Sequence, residues 1–215
     1  MLDLLPGILE QDFAEIEKKL EIIKPFAQSV HIDIIDGKFA NNTTWLDPKP
    51  FQKYSQDIFF ELHMMVEEPE RYIDDWGKAG FRRFVGHIEK MGDQKSFIER
   101  ATEYGQAGFA LDADTPVEAL KVEPEELDSI LIMTIKAGFS GQTFRPELLE
   151  KVKHFKTHDM VPVEVDGGVN DQTIGQAITA GAVRFVATSA LFKTPTDPHT
   201  RYRELLTIAT DQARS

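Results

Sequence analysis

The chain has no cysteine among its 215 residues. That excludes a disulfide framework, thiolate catalysis and any zinc site built on sulfur. Positive charge is also scarce, with 24 Lys and Arg against 36 Asp and Glu and a formal net charge of -12. A nucleic acid or an anionic membrane demands a basic surface to replace its counterions, so neither is expected as a partner. The apolar runs are too short to span a bilayer, and no basic leader or cleavage pattern precedes the strand-like run Leu2 to Leu9. There is no low-complexity segment and no Gly- or Ser-rich linker. These absences leave a cytoplasmic enzyme in one domain, residues 1–215, in which any phosphate must be met locally by backbone N–H groups or a metal.

What the chain does have is a repeat of short apolar runs rich in Val, Ile and Phe, alternating with charged segments of helical period. Eight such runs, at 4–9, 29–35, 57–66, 82–88, 106–111, 129–135, 161–166 and 183–188, predict eight strands. Between them Asp12 to Ile23, Glu70 to Ala79, Lys95 to Tyr104, Pro146 to Lys156 and Asp171 to Ala180 carry apolar residues three and four apart, the mark of outer helices. Asp12, Pro116 after Thr115, and Pro146 ahead of Glu147 read as helix starts, and Pro198 to Ala213 as a closing helix packed on the first unit. A doubly wound open sheet uses the same alternation. Eight units with no G-x-G-x-x-G turn after the first strand favour a closed α/β barrel of the (β/α)8 type.

Residues two apart on a strand share a face, so His31 and Asp33 in Val30-His31-Ile32-Asp33-Ile34 project together into such a barrel. His63 in Glu61-Leu62-His63-Met64-Met65, and Asp166 just before Gly167-Gly168, add two more donors near strand carboxyl ends, where barrel enzymes build their sites. A lone strand histidine is ordinarily a hydrogen-bonded core residue. Two imidazoles and two carboxylates buried together are costly without a cation, and nitrogen with carboxylate oxygen suits zinc, iron(II), manganese or cobalt. The loops after the last three strands carry Gly138-Phe139-Ser140-Gly141, Gly167-Gly168 and Thr188-Ser189. Each pair alone is an ordinary turn; together they predict a phosphate cradle of backbone N–H groups from Gly138, Gly141, Gly167, Gly168, Thr188 and Ser189.

With these residues in place, the sequence is similar to the ribulose-phosphate 3-epimerase family across nearly its whole length. The resemblance rests on His31-Ile32-Asp33-Ile34-Ile35-Asp36-Gly37 with Asn41, Glu61 to Val66 with Pro69, His87-Ile88-Glu89, and Thr115-Pro116-Val117-Glu118-Ala119-Leu120. It continues through Met133-Thr134 to Gln142, Val165-Asp166-Gly167-Gly168-Val169, and Gly181-Ala182 leading to Ser189-Ala190-Leu191-Phe192. It implies a TIM barrel of the ribulose-phosphate-binding type that inverts C3 of D-ribulose 5-phosphate through an enediolate. On matching positions, Asp33 and Asp166 would be the two acid/base groups, and His31, Asp33, His63 and Asp166 the ligands of one divalent metal. Met65 and Met133 would flank the reacting carbons, though composition alone reads them as core. His87 matches a family position, and Glu10, Asp36, Glu89 and Glu164 read as supporting or solvated groups.

The chain departs from the family pattern at Gly7, where a serine is usual, at Ile35 for a methionine, and at Asp112-Ala113 for Asn-Pro. Lys136-Ala137 lacks the usual proline, and Ser140 and Thr188 replace glycines. These changes imply an altered substrate pocket. They keep open a ketohexose 6-phosphate of the allulose 6-phosphate type as substrate, and a catalytically impaired barrel that only binds a sugar phosphate. Decarboxylase or aldolase chemistry fits poorly, because those barrels use a lysine and carboxylate cluster. A homo-oligomer is plausible by resemblance.

Overall fold

A computed structural model describes residues 2–156 and 161–214. Eight parallel strands close on themselves in chain order: β1 (Asp3–Ile8), β2 (Ser29–Ile35), β3 (Phe59–Met65), β4 (Arg83–His87), β5 (Gln106–Leu111), β6 (Ser129–Met133), β7 (Val163–Asp166) and β8 (Arg184–Ala187). Around them run α1 (Phe13–Ile23), α2 (Ile73–Lys78), α3 (Gln94–Thr102), α4 (Leu149–Lys156), α5 (Ile174–Ala180), α6 (Ser189–Phe192) and α7 (Pro198–Arg214). The protein is a (β/α)8 TIM barrel. No helix among the described residues is long and apolar enough to cross a membrane.

The two-residue period of the strands divides the interior sharply. Outward-facing Leu4, Ile8, Ile32, Leu62, Phe84, Phe109, Ile130, Val163 and Phe185 join helix residues such as Ile16, Leu20 and Trp76 in one apolar layer between sheet and helices. The alternate residues face inward, and strand register sets their neighbours: Gly7 lies beside His31, His31 beside Glu61, Asp33 beside His63, and Met133 beside Asp166. On the β4–β6 side the inner wall is apolar, built from Val85, Ala110, Leu131 and Met133 with Ile35, Met65, Ile135 and Ala137. The carboxylates and most of the ionisable groups lie on the β2, β3 and β7 side, with Arg83 and His87 of β4 beside them.

Strands β2 and β5 match the hydrophobic runs, β1 is shifted by one residue, β4, β6, β7 and β8 are two residues shorter, and β3 three. At β7 the cause is chemical: Pro162 has no N–H to give the ladder, although its carbonyl still accepts from Ile130 N–H at 3.0 Å. Asp12 caps α1 as expected, its carboxylate accepting from Ala14 N–H at 2.9 Å. The helix expected at Pro116 is absent. Val117–Ala119 and Pro124–Glu126 form single 3-10 turns instead, because Pro124 interrupts the segment and only residues 112–128 separate β5 from β6. The stretch from Glu70 to Ala79 is likewise split, with a 3-10 turn at Pro69–Arg71 ahead of α2. The start of α5 slips to Ile174 because the Thr173 hydroxyl ties back to the Gly168 carbonyl at 2.8 Å. The closing helix α7 packs on α1, as expected, and also on α5 and α6.

The β2–β3 connection has no α-helix, only a 3-10 turn at Lys49–Tyr54. Phe51 fills the space a helix would take. Its ring centre lies 5.2 Å from Phe13, 5.6 Å from Phe60, 5.5 Å from Trp76 and 5.3 Å from Phe81. Phe51→Ala should therefore cost about 3–5 kcal/mol, read as a lower urea midpoint, and Phe51→Leu clearly less. A loss below about 1 kcal/mol would show that the neighbouring rings collapse into the space.

Candidate active site

His31 and Asp33 on β2, His63 on β3 and Asp166 at the end of β7 come together as the sequence suggested. One ligand atom from each lies within 4.8 Å of all the others. Asp33 is the hub: its Oδ1 lies 2.8 Å from His63 Nδ1 and 3.3 Å from His31 Nε2. Asp166 Oδ2 stands 3.8 Å from His63 Nδ1. His31 lies in the middle of β2, two residues deeper in the barrel than Asp33. Both histidines are wholly buried, whereas Asp33 and Asp166 reach the cavity above.

The far nitrogen of each imidazole is engaged from behind. His31 Nδ1 lies 2.5 Å from Glu61 Oε1, and Arg83 Nη1 donates to Glu61 Oε2 at 2.7 Å. His63 Nε2 lies 3.0 Å from His87 Nε2, and His87 Nδ1 lies 3.0 Å from Glu89 Oε2. The tautomers that satisfy these contacts, assigned from the hydrogen-bond pattern, place N–H toward Glu61 on His31 and toward His87 on His63. In those tautomers each ring would turn a lone pair toward a bound cation, as a metal ligand must; without a cation the same nitrogens are placed to donate to Asp33. Glu61 and Arg83 were not singled out from sequence. The signal was present, since Glu61-x-His63 and Glu164-x-Asp166 repeat the same-face spacing of His31-x-Asp33.

The electrostatics of the cluster call for a cation. Burial opposes ionisation of Asp33, but the charge of His31 and the hydrogen bonds from His31 and His63 outweigh it and hold the carboxyl at about 2. Burial and then the Asp33 charge push Asp166 up to about 7. Burial works against charge on His31 too, but Asp33, Glu164 and Glu61 around it raise its pKa well above the usual value. Burial, with the charges of His31 and His87, draws His63 down to about 4 against the pull of Asp33. Crowded carboxylates with two inward lone pairs are the donor set of a divalent metal, whose charge would let both aspartates ionise. A second set, His31, Glu61 and Glu164, also lies close enough to hold an ion. There Arg83 already neutralises Glu61, so that cluster is a buried charge balance. Glu164, expected as a supporting or solvated group, is fully buried with no hydrogen-bond partner among the described residues, and burial next to Glu61 raises it to about 8.

Above the quartet a single cavity is lined by Asp33, Asp166, Met65 and Met133 together with Gly138, Gly141, Gly167, Gly168, Thr188 and Ser189. Every substrate residue read from the sequence thus faces the same space. The four glycines have positive φ, from +70° at Gly168 to +116° at Gly138. A Cβ on Gly167 would meet Ile135 at 2.3 Å, so glycine is required there on both counts. The Thr134 hydroxyl pins that turn by donating to the Gly167 carbonyl at 2.5 Å. Asn42 Nδ2 donates to the Gly138 carbonyl at 2.8 Å and ties the loop after β2 to the loop after β6.

Glu89 terminates the chain behind His63. Burial opposes its ionisation, but the hydrogen bond and charge of His87, with hydrogen bonds from Thr115 and the Asp112 N–H, hold it at about 2. Its folded pKa is below the ordinary 4.5, so its contribution is complete above that pH and disappears as pH falls toward 2. Glu89→Gln should flatten this part of the acid limb, by about 3 kcal/mol at most, when urea midpoints at pH 6 and pH 3 are compared. Equal losses in parent and variant would show that Glu89 carries none of it.

Residues 3–192 match the model of the Ribulose-phosphate 3 epimerase family. The chain is 39% identical over 195 residues to ribulose-phosphate 3-epimerase of Schizosaccharomyces pombe, covering 87% of this chain and 85% of that protein. It is 36% identical over 203 residues to ribulose-phosphate 3-epimerase of Bacillus subtilis, covering 89% and 93%. Among solved structures, phosphoribosyl anthranilate isomerase from Thermus thermophilus superposes with a TM-score of 0.67 over 98% of this chain and 99% of that one, at 10% identity, a likeness of fold alone. Matched from its first strand to its sixth helix, the chain belongs to the ribulose-phosphate 3-epimerase family of isomerases.

Proposed function

We propose that this chain, acting as one barrel domain, interconverts D-ribulose 5-phosphate and D-xylulose 5-phosphate by inverting C3, with Asp33 and Asp166 as its two acid/base groups. The observation that carries this reading is that both carboxylates line one cavity while sharing a buried donor set with His31 and His63. Inversion requires a proton to leave one face of C3 and another to arrive on the opposite face. Carboxylates on β2 and β7 supply a group to each side, and they exchange roles in the reverse direction. His31, Asp33, His63 and Asp166 hold one divalent cation, with zinc, iron(II), manganese and cobalt matching the mixed nitrogen and oxygen donors. When bound, that cation supplies positive charge to the oxygens of the developing enediolate.

The phosphate sits in the cradle of the last three loops. The N–H groups of Gly138, Gly141, Gly168 and Ser189 have no hydrogen-bond partner among the described residues and line the cavity. On a chain of net charge -12, such local donors are what can hold an anion. Met65 and Met133, each 2% exposed, form the apolar wall beside the carboxylates and keep water from the reacting carbon. A cytoplasmic location accords with the cysteine-free composition.

Proton NMR of D-ribulose 5-phosphate in deuterated water tests the reading. Deuterium should enter at C3 as xylulose 5-phosphate forms, the rate should vanish after chelation, and one of the four metals should restore it. Asp33→Asn and Asp166→Asn should each lower the rate by about 10²-fold or more. Exchange unchanged in both variants would remove the carboxylates from the mechanism. Exchange with a ketohexose 6-phosphate alone would move the substrate assignment to the six-carbon sugar.

A further inference from the structure

Gly7 and Thr188 occupy one space. Strand β1 pairs with β8 up to Pro6 beside Ala187, which brings Gly7 level with Thr188 at the rim of the barrel. On its other side Gly7 is the register partner of His31. Both positions continue the inward-facing rows, Leu5 to Gly7 on β1 and Val186 to Thr188 on β8. A Cβ built on Gly7 would lie 2.2 Å from Thr188 Oγ1, 2.8 Å from Val186 Cγ1 and 3.5 Å from Thr188 Cβ. The Thr188 hydroxyl therefore stands where a side chain on β1 would begin.

Thr188 is also misplaced for the usual work of a threonine. It is the residue ahead of α6, where a hydroxyl ordinarily caps the first N–H groups, yet it makes no capping bond. Its hydroxyl has no hydrogen-bond partner among the described residues, and Thr188 lines the cavity together with Asp33, Asp166 and Ser189. A polar group held there by neighbouring backbone, without a protein partner, is free to bond a ligand oxygen.

We propose that Gly7 and Thr188 form an interlocked pair in which the Thr188 hydroxyl hydrogen-bonds an oxygen of the bound ketose phosphate, and Gly7 is glycine because any side chain there displaces that hydroxyl. The ligand half of this inference rests on the function proposed above. A substrate oxygen reaching between the phosphate loops and the aspartates is bonded by Thr188, so the pair fixes the sugar chain between its two anchored ends. The volume holds one hydroxyl, which can be supplied from either strand.

The test is a set of five variants read by steady-state kinetics on D-ribulose 5-phosphate and by thermal unfolding. Thr188→Val keeps the shape and removes the hydroxyl; it should raise KM and lower kcat/KM about tenfold with Tm unchanged, and Thr188→Ser should restore most of the loss. Gly7→Ala forces the hydroxyl away and should cost a similar factor alone, but clearly less when added to Thr188→Gly, where only Val186 Cγ1 at 2.8 Å still has to give way. Gly7→Ser with Thr188→Gly moves the hydroxyl to β1 and should recover activity relative to Thr188→Gly. Undiminished kcat/KM in Thr188→Val overturns the hydroxyl contact, and multiplicative effects of Gly7→Ala and Thr188→Gly overturn the interlock. A parent protein inactive on ribulose 5-phosphate would strike the proposed substrate. The packing is then decided without substrate: Gly7→Ala should lower Tm more in the parent than in Thr188→Gly, and equal shifts overturn it.

Discussion

The inside of this barrel must keep a cluster of ionisable side chains, among them His31, Asp33, Glu61, His63, Arg83, His87, Glu164 and Asp166, largely away from bulk water, and the surrounding architecture answers that demand. An unpaired buried charge is among the most costly features a fold can carry. Here His31, Asp33, Glu61 and His63 are met by partners that strand register supplies. Arg83 stands beside Glu61 on the neighbouring strand, Glu61 stands beside His31, and His63 stands beside Asp33. The group left without a hydrogen bond, Glu164, is the one pushed toward its neutral form. At Asp33 and Asp166 the protein alone leaves the balance incomplete, which is why the donor set calls for a cation.

The same register explains how much could be read from the sequence. Alternation on β2 is enough to place His31 and Asp33 together, and the adjacent β3 and the more distant β7 bring His63 and Asp166 to them. Glu61 and Glu164 share that alternation, which puts them on the same face as His63 and Asp166, but it gives no sign of the partners that make a buried glutamate tolerable there. Glu61 is paired with Arg83 and Glu164 lies beside Arg184 in register, residues of other strands that no local pattern links to them. The fifth unit was misread for a different reason. Thr115-Pro116 is a sound helix start, but a helix also needs length, and Pro124 followed by the pairing of β6 from Ser129 leaves room only for turns. The Phe51 turn shows the converse, since tertiary packing of five aromatic rings replaces a helix that the barrel plan would suggest.

Departures from the family pattern fall into place once side chains have neighbours. Asp112 does not disturb the loop it joins; its carboxylate accepts from the N–H groups of Ala113 at 2.8 Å and Ala137 at 3.0 Å, stitching the β5 and β6 loops together. Ile35 is fully buried in the apolar inner wall with Met65 and Met133. Ser140 lies within 3.4 Å of Lys193 Nζ, joining the loop after β6 to the end of α6. Gly7 and Thr188 look like two losses in the sequence, a missing hydroxyl on one strand and an intruding side chain on another. In space they are a single exchange. The altered positions therefore do not add up to a degraded pocket, and the quartet beneath them is intact.

The asymmetry of the barrel interior gives the last constraint. The quartet comes from β2, β3 and β7, with Arg83 and His87 of β4 behind it, while the remaining inward positions of β4, β5 and β6 present Val85, Ala110, Leu131 and Met133. A ketose phosphate is asymmetric in the same way, with oxygens along one edge and carbon–hydrogen bonds exposed on its faces. Laid with its oxygens toward the quartet and its phosphate in the glycine loops, it would meet methionine sulfur and methyl groups where it has no hydrogen-bonding atoms. Proton transfer at carbon gains from that dry wall, because water near C3 would compete with the carboxylates and weaken every charge interaction in the site. The polar and apolar halves of one closed sheet thus do separate jobs. One binds the charge that develops, and the other keeps the medium in which that charge is felt.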